Sequence, residues 1–253
     1  MFKFFRKIRL DLMSQNKTSK YFKYAIGEII LVVIGILIAL AISNWNSQRL
    51  NKNRNTLLLT KLSKELDLNI DRAYLLDSTN ISFKSRLKFT DSLVKILDRG
   101  IELNDLDYMI VSHIMPIFFV NTFNLNTSVF EELKNTGSLY SIGSDSLVTE
   151  IQRYYQLCDR ESFYNLNYSE NVTKFQDKCY KGWFDFNYMY LKNPENALKQ
   201  HQWVFNSRSQ NYIEFRQFVN YTRTHSYLMV SKLKGIIRAS EELKKMIAQE
   251  QKS

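Results

Sequence analysis

The chain has 253 residues, 45% hydrophobic and 24% charged, enough for one sizeable core or two small ones and too apolar for disorder throughout. Seven Gly and two Pro leave little of the punctuation that short strands and tight turns need, so a mostly α fold is expected. The net charge of +10 does not signal nucleic acid: residues 1–54 hold ten Lys or Arg against Asp11 and Glu28, the other 199 hold 25 against 23, and no basic groove is spread over a folded domain.

The opening "MFKFFRKIRLDLM" puts Met1, Phe4, Phe5, Ile8 and Leu12 on one helical face with basic residues elsewhere, the pattern of an interfacial helix. Residues 1–23 are read as a basic amphipathic leader on the cytoplasmic membrane surface, each basic residue gaining roughly 1 kcal/mol near anionic head groups. Tyr24 to Ile42 is a run of 19 residues, about 28 Å as a helix and close to the thickness a single span must cross. Residues 24–43 are therefore expected to form a transmembrane helix, with Tyr21, Tyr24 and Trp45 at the interfaces. Glu28 lies one turn inside, where its carboxyl can reach toward water. Glu28, Gly35, Ala39 and Ile42 share a face, and Gly35-x-x-x-Ala39 is a small-xxx-small pair that admits a second helix.

Two rival readings exist for this run. A cleaved signal peptide would use Ala39-Leu40-Ala41, but the polar lead of more than 20 residues and Trp45 just past the site argue against it. A buried core helix would need protein on all sides of Ile29 to Ile42. Seven Lys or Arg upstream against Arg49, Lys52, Arg54 and Lys61 downstream favour a cytoplasmic N-terminus and a periplasmic C-terminal domain, anchored in the inner membrane.

"FFRKIR" followed by "SKYFKYAIGEIILVVIGILIALAISNWN" resembles the start of single-span bacterial membrane proteins grouped as domain of unknown function 6090, found mainly in Bacteroidota. The resemblance is specific over residues 2 to 50; further on, only "FEELKNTGSLYSI" and "IQRYYQ" are similar to the family pattern. One departure is visible: the family-like "ALQINNWN" reads "ALAISNWN" here, so Ala41 stands where a polar Gln would. The resemblance implies membrane anchoring and no activity.

After a juxtamembrane connection, residues 44–54, a helical domain is expected over 55–250. Apolar residues recur every three or four positions at Leu59, Leu62, Leu66, Ile70, Ala73, Leu76, Phe83, Leu87, Val94 and Leu97, predicting one nearly continuous amphipathic helix that stops at Gly100, with polar Asn80 and Thr90 interrupting its seam. A shorter segment, Asp105 to Met115, ends before Pro116, and "IFFVNTFNLNTS" reads as an irregular or extended connection. Ser128 and Glu131 have capping-box spacing, Gly137 caps the helix that follows them, and Ser144 or Ser146 caps the next, through Tyr154 and Tyr155 to about Cys179. A last long helix carries Tyr212, Phe215, Val219, Thr222, Met229, Leu233, Ile236, Leu243 and Ile247. The fold class is all-α: a single N-terminal transmembrane helix followed by an antiparallel helical bundle with long amphipathic helices.

Chemistry is harder to find. His113, His201 and His225 show no metal-ligand pairing, Cys158 and Cys179 match no zinc or redox motif, and "NTGSLYSIG" lacks the Lys of a phosphate loop. Both cysteines read as small core residues. Residues 154–205 hold 14 of the 35 aromatics, either a Tyr-rich core or a pocket lined by Tyr164, Tyr168, Tyr180, Trp183 and their neighbours. Glu131-Glu132 and Glu241-Glu242 diverge on a helix and read as solvated faces. No enzyme, no cofactor, no metal and no nucleic-acid partner is expected. The expected function is a membrane-anchored interaction or structural module that self-associates or binds a membrane or periplasmic protein; the alternative is an extracytoplasmic ligand sensor coupled to a separate signalling partner.

Overall fold

The computed structural model describes residues 18–79, 82–112 and 121–252, and the chain divides into two compact units, Met1–Thr56 and Leu57–Ser253. Among the described residues there is no strand, and seven α-helices follow one another: α1 Thr18–Ser78, α2 Phe83–Arg99, α3 Ser128–Asn135, α4 Asp145–Lys178, α5 Asp185–Lys192, α6 Pro194–Gln200 and α7 Gln210–Glu250. The all-α expectation of one long apolar N-terminal helix and a helical bundle holds. The leader face from Met1 to Leu12, Asn80, His113 and Pro116 lie outside the described residues.

In the second unit α7 packs along α4, α1 and α2. Against α4 it runs antiparallel, since Tyr154 meets Ser240, Asn165 meets Met229 and Phe175 meets Tyr221. Against α1 and α2 it also runs antiparallel: Gln251 bonds Thr60, Lys244 pairs with Asp67, Ser226 accepts from Arg86, and Tyr212 donates to the Leu97 carbonyl.

The helix predicted as continuous from Leu59 to Leu97 is interrupted after Ser78. Ser82, in extended backbone, starts α2 by accepting from the Ser85 amide at 3.1 Å, and Ser85 Oγ closes the corner on the Thr79 carbonyl at 3.0 Å, a local capping that gives the backbone an alternative to helix. On both sides of this break the helices keep nearly the same register on α7. That is why a single apolar periodicity reads through it.

The predicted seam of α1 is largely right, with Leu59, Leu62, Leu66, Ala73 and Leu76 all buried. On α2 Phe83 and Leu97 are buried as predicted, while Leu87 and Val94 are half-buried and Arg86 and Leu93 face the core in their place. Thr90 sits in the core without penalty because its hydroxyl donates to the Arg86 carbonyl at 2.8 Å.

Residues 121–127 form no helix and are held against α1. Arg72 donates to the Thr122 and Phe123 carbonyls at 3.0 and 3.4 Å, and Asn69 exchanges two hydrogen bonds with the Asn126 backbone at 3.0 and 2.6 Å. The capping box expected at Ser128 and Glu131 does not form. Instead Glu65 of α1 caps α3 from outside, its Oε2 accepting from the Val129 amide at 2.7 Å and from Ser128 Oγ at 2.9 Å while Oε1 accepts from the Tyr155 hydroxyl. Glu131 pairs with Lys134. The carboxylate thus satisfies orphan donors at a helix start where its charge is favourable.

Gly137 ends α3 in the left-handed region at φ 68°, as its predicted role requires. Ser144 is the N-cap residue of α4, but the amide and hydroxyl there are tied to Glu250 of α7 at 2.9 and 2.8 Å. A second glycine sits at a close approach: a Cβ at buried Gly182 would stand 3.1 Å from Asn211 Cβ of α7. The π-helical turn Tyr180–Phe184 after α4 therefore packs close to α7.

Glu65→Ala removes the acceptor for a buried tyrosine hydroxyl and a backbone amide together, and should lower the unfolding free energy of the full-length chain by about 2–4 kcal/mol in urea titration. A loss within measurement error would show that Glu65 does not hold α1, α3 and α4 together.

Candidate functional site

In the first unit, α1 holds an 18-residue stretch of mean hydropathy 2.9, none of it buried. Ile29, Leu31, Leu37 and Ile42 are each about 60% exposed (63%, 66%, 58% and 61%), so the run is apolar on every side. Among the described residues this is the one helix long and apolar enough to cross a membrane. Glu28 lines a shallow groove on the helix surface with Ala25, Ile29, Val32 and Val33. Gly35 and Ala39 continue the Glu28 face; a Cβ at Gly35 would meet nothing within 4 Å. Trp45 is exposed with the Arg49 guanidinium 5.7 Å from its ring centroid, a cation–π pair one turn past the apolar run. Tyr21 and Tyr24 fall within α1, and their side chains lie outside the described residues.

The second unit buries polar groups in two layers between three apolar clusters. In the layer nearer the α7 C-terminus, Tyr154 Oη receives hydrogen bonds from Ser240 Oγ at 3.0 Å and Asn69 Nδ2 at 3.1 Å. Burial raises the pKa of Tyr154, and burial together with Glu65 raises that of Tyr155. Both phenols therefore stay neutral.

The other layer centres on Arg86 of α2. Its Nε donates to Ser226 Oγ at 2.8 Å, its Nη2 lies 3.3 Å from His225 Nδ1, and its guanidinium carbon is 4.9 Å from the Phe83 ring centroid. Burial lowers the Arg86 pKa to about 10. Burial and then the guanidinium push His225 down to about 3. His225 is thus neutral, with Nδ1 accepting and the proton on Nε2. Sequence reasoning saw His225 only as an isolated histidine and missed Arg86; the one available signal was a charged residue at three-four spacing from Phe83, Phe89 and Thr90. Four buried polar atoms around α4 and α7, Asn165 Oδ1, Ser169 Oγ, Thr222 Oγ1 and His225 Nε2, have no protein hydrogen-bond partner.

The aromatic region resolves chiefly as core. Trp183 stacks on Phe215 at 4.0 Å and contacts Phe186, all three buried, whereas Tyr164, Tyr180 and Tyr188 face outward. Cys158 and Cys179 are free and buried, Cys158 within α4 and Cys179 just past its end; burial pushes both thiols up to about 12. Among the described residues no group of three His, Cys, Asp or Glu is placed to hold a metal. A cavity of about 160 Å³ opens between α4 and residues 121–127, lined by Phe123, Leu125, Cys158, Asp159, Ser162 and Asn165 among others.

Compared with known proteins, the sequence model described as Family of unknown function (DUF6090) matches residues 28–192. The match begins at Glu28 and ends with α5, so α7 lies beyond it. No curated protein and no solved structure matches the chain.

The histidine in the Arg86 layer has a pH consequence. Its folded pKa of about 3 lies below the ordinary 6.5, so the unfolded chain binds more protons between those values; the associated stability is complete above about 6.5 and is lost as pH falls toward 3. At about 1.4 kcal/mol per pH unit, acidification from pH 6.5 to 5 should cost about 2 kcal/mol in chemical denaturation. In His225→Gln that slope should flatten, and an unchanged slope would assign the loss to other groups.

Proposed function

Since the chain belongs to the Family of unknown function (DUF6090), whose description carries no activity, we propose from its own residues that it is a membrane-anchored helical interaction module. The observation that supports this is the fully exposed apolar run of α1. In water such a surface is unfavourable by roughly 25 cal/mol per Å² of apolar area, and hydrocarbon is the environment that removes the cost while leaving every backbone group bonded within the helix. Residues 24–43 are the span. The basic leader sits on anionic head groups, and the excess of Lys and Arg before the span orients the N-terminus to the cytoplasm.

Anchoring in one plane raises the effective concentration of any partner in the same membrane, and the module acts by binding. The Glu28, Gly35 and Ala39 face is the one for helix association, because Gly35 allows close approach and a carboxyl inside the bilayer gains from a hydrogen-bonding neighbour. Through this face the chain pairs with a second copy or with another membrane protein. A second reading, an extracytoplasmic ligand sensor acting through a separate signalling partner, is favoured by the cavity beside residues 121–127.

Full-length protein should stay with vesicles in alkaline carbonate, while Ile34→Arg, which adds about 2.5–3.5 kcal/mol at mid-span, should move a measurable share into the soluble fraction. Complete release of the unmodified chain would refute the anchor. Crosslinking in cells should yield a discrete adduct that Gly35→Ile diminishes; an adduct indifferent to that change would remove the Glu28 face from the interaction.

A further inference from the structure

His201 ends α6, and its ring stands between a donor and an acceptor. Trp203 Nε1 lies 3.2 Å from Nδ1; an indole N–H only donates, so Nδ1 accepts and the proton of the neutral ring sits on Nε2. That Nε2–H meets Met189 Sδ at 3.2 Å, with Asp185 Oδ2 3.7 Å away, both residues carried one turn apart on α5. The rings of Phe186 and Trp203 stand edge-on to the imidazole at centroid distances of 5.8 and 6.4 Å. Among the described residues the ring makes no further hydrogen bond or ion pair.

Through Trp203 this contact reaches α7. The Trp203 carbonyl accepts from the Asn206 amide at 2.9 Å and from Ser209 Oγ at 3.1 Å, and Ser209 Oγ in turn caps α7 by accepting from the Tyr212 amide at 3.3 Å. Val204, beside Trp203 in the 3-10 turn Gln202–Phe205, is buried in the cluster of Trp183 and Phe215. The bond at Nδ1 therefore fastens the turn that joins α6 to the start of α7. Of the charged residues on the adjoining elements, Glu195, Lys199 and Arg208 are exposed, Lys192 is engaged by Tyr188, Asp107 bonds Tyr190, and Glu214 accepts from Gln210. Asp185, with its side chain 54% exposed, is the charged group within ion-pair range of the ring.

A second proton changes which partner the ring can keep. Imidazolium carries an N–H on each nitrogen, so Nδ1–H and the Trp203 N–H would meet donor to donor and must part, while the positive charge gains from the Asp185 carboxylate. Imidazole is also the side chain whose charge ordinarily changes between about pH 5 and 8. We propose that His201 is an acid-sensitive latch: neutral, it fastens Trp203 and with it the corner between α6 and α7; protonated, it releases Trp203 and turns to Asp185. Every contact exchanged lies within the second unit, so the device goes beyond both readings of function and requires neither a bilayer nor a ligand. It also differs from His225, whose surroundings oppose the proton.

The test is an NMR titration of the full-length chain in detergent, from about pH 8 to about pH 5, following the indole N–H resonances of Trp45, Trp183 and Trp203. The last is assigned by its loss in Trp203→Phe. The Trp203 resonance should move in one step while that of buried Trp183 stays in place. The step should vanish in His201→Gln, whose side-chain oxygen can accept from Trp203 and takes no proton, and persist in His225→Gln. Asp185→Asn, an exposed change that leaves the fold intact, should bring the step to lower pH by about half a unit, a modest amount because solvent screens this carboxylate. A stationary Trp203 resonance, a step that survives His201→Gln or is lost in His225→Gln, or a midpoint that does not fall in Asp185→Asn would each overturn the proposal.

Discussion

The register of α7 is the constraint on which the second unit depends. Its buried face runs from Tyr212 to Ile247, and along that length apolar clusters alternate with polar layers that have specific partners. A slip of one turn, about 5.4 Å, would carry Ser226 and His225 away from Arg86 and Ser240 away from Tyr154, leaving a guanidinium and a phenol buried against hydrocarbon. An unmatched buried charge costs several kcal/mol, far more than the change in apolar contact from such a slip. Shape gives the clusters their density, and polar matching fixes which turn meets which.

The two units handle apolar surface in opposite ways. In the second, residues from α1, α2, α4 and α7 close over one another, with Arg86, Glu65 and Asn69 all supplied with hydrogen bonds. In the first, the apolar residues of α1 have no protein covering them. A contiguous exposed surface of that kind exceeds what soluble monomers carry, and its all-round character differs from the one-sided stripe of a docking helix. In the proposed reading, lipid is the cover that leaves no seam.

Much of this was legible in the residues. The scarcity of Gly and Pro announced helices, the bounds of α4 follow from a cap and a periodicity that act within a few residues of one another, and the buried face of α7 follows from its periodicity. Every apolar position assigned to the last helix is buried, because an uninterrupted 3.6-residue pattern has one solution. What escaped was non-local. Ser128 and Glu131 have the right spacing for a box, yet Glu65, distant in sequence, takes the Ser128 hydroxyl and the Val129 amide. Arg86 went unread because nothing local reveals that Ser226 and His225 await it. The break after Ser78 was hidden because α1 and α2 share a register on α7. The cavity wall, too, depends on Asn69 and Arg72 reaching a segment some fifty residues away in sequence.

The two cysteines offer a last consequence. Cys158 belongs to the cluster built on α1, α3 and the start of α4, Cys179 to the one around Trp183 and Phe215. With thiols held near 12 by burial, almost no thiolate exists in the native state at neutral pH, and alkylating reagents act on the thiolate. Labelling must therefore wait for a local opening. The molecule carries two chemical clocks, one within α4 and one just past its end, each ticking at the rate at which its own surroundings breathe, and their ratio reports whether those regions open together or apart.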